Sequence, residues 1–131
     1  MGKQADPSKK VTQLHAPKKH QLTHLTAFQK SELSAILNIY SFHVAAGHWK
    51  DYGISTDTHM AQFSIFHNAH DIPVFTIAKI GKHHKMRPKG RYVVMHGVHP
   101  LVRTHDLDIA LAHLKRASNK LYAPAKNDTT F

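Results

Sequence analysis

Apolar residues along this chain change period twice, and each change marks a different kind of element. From Phe28 onward, Leu33, Ile36, Leu37, Tyr40 and Val44 recur at the three-and-four spacing of one helical face, which predicts a helix over about 30–46. Thr26 with Gln29 has the form of a capping box. Gln29 offers a second start, which puts Glu32 in the first turn at the positive end of the helix dipole. Gly47 supplies the stop.

The period then falls to two. Residues 60–66 (Met-Ala-Gln-Phe-Ser-Ile-Phe) and 74–80 (Val-Phe-Thr-Ile-Ala-Lys-Ile) are rich in β-branched and aromatic side chains and predict paired strands. Pro73 has no amide proton to give a ladder, so the connection falls at 67–73. Ahead of them, 47–54 reads as a turn into a short extended segment, with Ser55–Asp57 a turn. Arg91–Met95 predicts a further strand ended near Gly97 and Pro100. Helical spacing returns at Leu107, Ala110, Leu111 and Leu114, with Thr104 as N-cap, Asp106 and Asp108 in the first turn, and Lys115, Arg116 and Lys120 toward the negative end. The expected fold is α+β: an antiparallel meander of three or four strands, with an N-terminal and a C-terminal amphipathic helix against one side. Residues 1–24, with few large apolar groups, read as a basic flexible tail, 25–121 as the single domain and 122–131 as a loose C-terminal tail.

Length and composition narrow the function classes. A chain of 131 residues with 41% hydrophobic residues can bury one core without staples. The absence of cysteine excludes disulfides, thiolate metal sites and cysteine nucleophiles. No apolar run approaches the roughly 20 residues of a membrane span, and with no secretory signal the expected location is cytoplasmic. Eighteen Lys and Arg against eight Asp and Glu give a formal charge of +10, which attracts phosphate polymers or acidic proteins.

That charge is unevenly placed. Lys79, Lys82, Lys85, Arg87, Lys89 and Arg91 fall within 13 residues without one acid, flanked by Gly81 and Gly90, in the form of a flexible hairpin excursion that could grip phosphates. Lys9, Lys10, Lys18 and Lys19 would add long-range attraction from the tail. The same pattern describes a solvated hairpin tip and a solubilising tail. Trp49, Tyr52 and Tyr92 are either stacking platforms for bases or, as their places beside a helix end and a strand start favour, parts of the core edge.

The stretch Ser31-Glu32-Leu33-Ser34-Ala35-Ile36-Leu37-Asn38-Ile39-Tyr40, followed by Val44-Ala45-Ala46-Gly47-His48-Trp49-Lys50-Asp51-Tyr52, resembles a small bacterial domain family of unknown function, of alphaproteobacterial type. The likeness extends through Phe63–Phe66, Ile72-Pro73-Val74 and the closing helix, over roughly 28–116. It implies a domain boundary and carries no activity, substrate or cofactor. Where the family pattern leads one to expect arginine or acidic residues after the Phe63 strand, this chain has His67, Asn68 and His70.

Fourteen histidines invite a metal reading. His67 with His70, His96 with His99, and the adjacent His83 and His84 are the close pairs. On a strand, however, positions three apart point to opposite faces, and no His-Glu-x-x-His helix is present. Catalysis has no support either: there is no phosphate loop, no nucleophile elbow, and the acids are scattered. The reading that results is a non-enzymatic module without cofactor. It contacts RNA or DNA phosphates through the 79–91 loop and the lysine tail; the alternative is a protein-interaction or accessory subunit with an acidic partner, and a histidine metal site ranks third.

Overall fold

The computed structural model describes residues 25–68 and 71–124. Helix α1 (Lys30–Ala45) is followed by strands β1 (Asp51–Thr56), β2 (Met60–Phe66) and β3 (Phe75–Ile80). A single 3₁₀ turn at Arg87–Lys89 precedes β4 (Tyr92–His96), β5 (His99–Thr104) and helix α2 (Leu107–Leu121). The strands form one antiparallel meander in the order β1-β2-β3-β4-β5.

The sheet thus has five strands, against the three or four expected. Its edges are β1, which carries the short extended segment expected within 47–54 on into the turn expected at 55–57, and β5, which lies beyond the expected strands. Five of the six residues of β1 are exposed, so it lacks the alternation that marks a half-buried strand. In β5, Pro100 suggested a stop, yet an edge strand tolerates proline. Of the inner strands β2 alternates as expected, with Ala61, Phe63 and Ile65 buried and their neighbours only partly covered, whereas β3 buries Ala78 beside Ile77 and β4 buries Tyr92, Val93 and Val94 in succession.

One face of the sheet carries the main core. Phe63, Ile65, Phe75, Ile77, Tyr92 and Val94 meet Ile36 and Ile39 of α1 and Ala110, Leu111 and Leu114 of α2. The other face holds a small cluster of Ala78, Ile80 and Val93 beside Met60 and Met95. Helix α2 starts two residues later than Thr104 would have it. Asp106 is the N-cap, accepting from the Asp108 amide at 2.9 Å, and Thr104 closes β5 while its Oγ1 accepts from the Asp106 amide.

Helix α1 packs Leu33, Ile36, Leu37 and Tyr40 of its predicted face on the core, while its deepest stripe runs along one side of that face. Its most buried residues are Glu32, Ile36, Ile39 and His43, spaced by four, three and four, whereas Val44 is 40% exposed. The cap is the Gln29–Glu32 box, in which the Gln29 side chain and the Glu32 carboxylate reciprocally take backbone amides; Thr26 takes no part. At the other end, the His48 amide donates to His43 O at 2.8 Å and the Gly47 amide to Val44 O at 2.9 Å, with Gly47 at φ 83. This Schellman closure needs the left-handed conformation glycine adopts without strain. It also turns His48 back over His43. A polar group therefore ends each end of the buried stripe, and each nucleates a cluster.

Candidate nucleic-acid interface

At the end of the sheet where α1 begins, Lys79 alternates with Phe75 and Ile77 along β3 and so points to the helix side. Its ammonium donates to Glu32 Oε1 at 2.7 Å and to Ala27 O at 2.9 Å. The Tyr92 hydroxyl, from the neighbouring position on β4, donates to Glu32 Oε2, and the Gln29 amide donates to Oε1 at 2.7 Å. Burial opposes the Glu32 charge, but the bonds from Lys79, Tyr92 and Gln29 outweigh it and hold the carboxyl below its ordinary value. Burial, then the adjoining Glu32, pushes the Tyr92 phenol up. Lys79, expected both in the 74–80 strand and among the phosphate-contacting residues, lies in β3 and is engaged inside the fold, where it ties α1 to the sheet.

The 25–29 lead-in crosses the same end. Thr26 donates its amide to Asp57 O at 2.8 Å, and the Gly81 amide reaches His59 O at 2.8 Å. A Cβ at Gly81 would lie 2.5 Å from Thr26 Oγ1 and 2.8 Å from Thr58 O, so only glycine lets these three segments meet. They form the floor of a cleft of about 520 Å³ whose walls include Lys82, Arg87 and Arg91, with Thr26, Gln29 and Thr58 among its polar groups.

The β3–β4 loop is folded rather than a free excursion. Backbone bonds join His84 to Gly81, Arg87 to His84, Lys89 to Met86 and Gly90 to Arg87, and Arg87 Nη1 donates to Ile80 O at 3.2 Å. Lys82 and Arg91 are exposed and Arg87 half-buried at the cleft, with the Arg91 guanidinium 5.9 Å from the Tyr92 ring centroid. Lys85 and Lys89 are exposed on the same loop but outside the cleft lining. Among the described residues none of these five cations has an ion-pair partner, because Glu32 is taken by Lys79 and Asp57 accepts from the His59 and Met60 amides. Lys9, Lys10, Lys18 and Lys19 lie outside the described residues.

The aromatic side chains are not placed for base stacking at this cleft. Trp49 and Tyr92 are core residues at 1% and 4% exposure, and Tyr52 stacks on Phe63 at 4.8 Å. Among the described residues no group of three or more His, Asp or Glu converges to hold a metal; His70 lies outside them.

Sequence reasoning missed a second cluster, at the opposite end of the sheet. The Nδ1 atoms of His43 and His48 are 2.9 Å apart, which requires one protonated and one bare nitrogen. The Trp49 indole, 4.4 Å from the His43 ring, donates to the Tyr122 hydroxyl at 2.9 Å, and the Tyr122 ring stacks on His48 at 4.0 Å. Tyr122, read from sequence as the start of the loose tail, packs here against the core. The available signal was a histidine pair five apart across a helix-stopping glycine. Burial, and secondarily His48, lowers the His43 pKa from 6.5. A lowered value means that the unfolded chain takes up the proton first. The stability tied to neutral His43 is therefore whole above pH 6.5 and falls as pH drops through the folded value. Urea unfolding of wild type at pH 8 and pH 5 should show this loss, and His43→Leu should shrink it.

Among the described residues no helix is long and apolar enough to cross a membrane. Comparison with curated proteins and with solved structures gave no match. A family model does match residues 26–111, from the Thr26 lead-in through β5 and the first turns of α2, and so spans the Glu32–Lys79–Tyr92 cluster and the whole cationic loop. The chain belongs to the family described as protein of unknown function (DUF2794).

Proposed function

We propose that this domain binds nucleic acid through backbone phosphates at the β3–β4 end of its sheet, with Lys82, Arg87 and Arg91 gripping in the cleft and Lys85 and Lys89 extending the contact along the loop. One observation carries this reading. The nearby carboxylates are occupied internally, so the loop's cations stand unneutralised around a folded recess. A cationic recess of this kind lowers the free energy of a polyanion by releasing its counterions. Among the described residues no Phe, Tyr or Trp lines the cleft as a stacking platform, so the contact carries no base readout and sequence preference is low.

The experiment is a salt series. Full-length protein is titrated against labelled duplex DNA and single-stranded RNA, beside Lys82→Gln/Arg87→Gln/Arg91→Gln and a control, Lys115→Gln/Arg116→Gln/Lys120→Gln, on exposed positions of α2. The loop variant should lower the log-log salt slope on duplex by about 2 to 3, at roughly 0.9 per lost phosphate contact, while the control leaves it closer to wild type. Equal slopes for the two variants, or no binding at low salt, would refute the reading. Tighter binding to polyglutamate than to either nucleic acid would instead identify an acidic protein partner.

A further inference from the structure

An open sheet has two edges, and this one treats them differently. The β5 edge carries Pro100 and Arg103, has an irregular register against β4 at Val94/Met95, and packs against α2. Each of these discourages pairing with another strand. Strand β1 runs in unbroken register with β2 from Asp51 to Thr56 and contains no proline, lysine or arginine. Tyr52 and Ile54, 41% and 47% exposed, share the helix face with Ile65 and Phe63, their partners on β2.

The ladder's parity decides which groups face outward. Asp57, opposite Met60 in the same register, donates its amide to Met60 O, so the bonds toward β2 fall on the odd-numbered residues of β1. The amides and carbonyls of Tyr52, Ile54 and Thr56 therefore face the edge that no described strand covers. Consistent with this, the Tyr52 amide turns to its neighbour's side chain, donating to Asp51 Oδ1 at 2.8 Å.

We propose that β1 is a homodimer edge, where two copies of this chain pair antiparallel and join their five-stranded sheets into one. Directly opposed residues of an antiparallel sheet share a face, so even-numbered positions must meet even-numbered ones. With Gly53 opposite Gly53 of the second copy, each Tyr52 ring covers Ile54 of the other copy, and Asp51 meets Ser55. Shifting to place Ile54 on Ile54 would set Asp51 against Asp57, a like-charge pair that disfavours that register. A second copy also answers the charge problem. Antiparallel pairing turns it end for end, so the two basic loops lie at opposite ends of strands about 20 Å long, beyond the roughly 8 Å screening length of physiological salt.

Sedimentation velocity of the full chain over a concentration series is expected to show a monomer–dimer equilibrium. Ile54→Lys should raise its dissociation constant about tenfold or more, the loss of a central apolar contact. Asp51→Ser frees the Tyr52 amide and should lower it. Gly53→Cys tests the register in a chain that has no cysteine of its own. A Cβ there meets only Phe66 Cε2, at 3.9 Å, so the fold accepts it. Opposed at about 4.5 Å between Cα atoms, two such cysteines are within disulfide range. Oxidation should cross-link Gly53→Cys and spare Val98→Cys, on the exposed β4–β5 turn. A monomer at every concentration, a dimer indifferent to Ile54→Lys, or equal cross-linking at both cysteines would overturn the proposal.

Discussion

Glu32→Ala is expected to cost about 3 kcal/mol of folding stability, the largest effect of any polar substitution in this domain. The carboxylate satisfies Lys79, Tyr92 and the Gln29 amide at once. Its removal leaves an ammonium whose side chain is only 15% exposed without a counter-ion, and it also undoes the α1 cap. In thermal unfolding this corresponds to a fall in Tm on the order of 10 °C. Glu32→Gln separates the contributions. Glutamine at this position of a capping box can still serve the Gln29 amide and accept from Tyr92, so the milder loss isolates the charge on Lys79. Lys79→Met alone removes the buried cation, and combined with Glu32→Leu and Tyr92→Phe it should cost less than the three single losses added together. The same carboxylate adds an acid limit. Because its folded pKa lies below 4.5, its contribution is whole above that pH and disappears as pH falls through the folded value.

Lys79 shows what the sequence displayed and what it hid. Its charge placed it naturally in the cationic run that ends at Arg91, and a count of charges cannot separate an inward lysine from an outward one. Its phase on the strand could have done so. It stands two residues after Ile77 and four after Phe75, so period two points it at the helices, where a lysine needs a partner. Helix α1 offered Glu32 in its first turn. Strands β2, β3 and β4 were legible because each is buried on at least one face, which β2 records as alternation and β3 and β4, buried on both faces, as runs of β-branched and aromatic residues. β1 showed only as a short extended segment of unmarked length, since an edge strand exposed on both faces has nothing to alternate. The α1 face was right at Leu33, Ile36, Leu37 and Tyr40 but missed its two polar ends, because hydropathy scores Glu32 and His43 as surface residues. Their burial depends on groups 47 and 5 positions away, Lys79 and His48. The loop charges were visible as charges, but the cleft depends on the 25–29 lead-in and Gly81 meeting there, which no local pattern announces.

Trp49→Ala should be comparably severe, at about 3 to 5 kcal/mol, the range for truncating a large aromatic side chain in a core. The ring is 1% exposed and lies where the end of α1, the approach to β1 and the end of α2 converge, against Tyr40, His43 and Phe75. Its indole N–H also fixes Tyr122, whose ring in turn covers His48. Losing it therefore opens a cavity and releases the last turn of α2 together. Trp49→Phe refills most of the volume and sacrifices only the bond to Tyr122, so a loss of roughly 1 to 2 kcal/mol is expected, close to that of Tyr122→Phe. The two single changes should not add in the double variant, because each removes the same hydrogen bond. Circular dichroism in urea measures all three, since Trp49 is the chain's single tryptophan and its fluorescence disappears with it. Hydrogen exchange then locates the damage. Amides of the C-terminal turn of α2 and of 46–50 should exchange faster in Trp49→Phe, while those of Lys79 and Tyr92 keep their protection, because the Glu32 cluster at the other end of the α1 stripe holds its own contacts. Equal loss of protection at both ends would mean that the two clusters open as one unit.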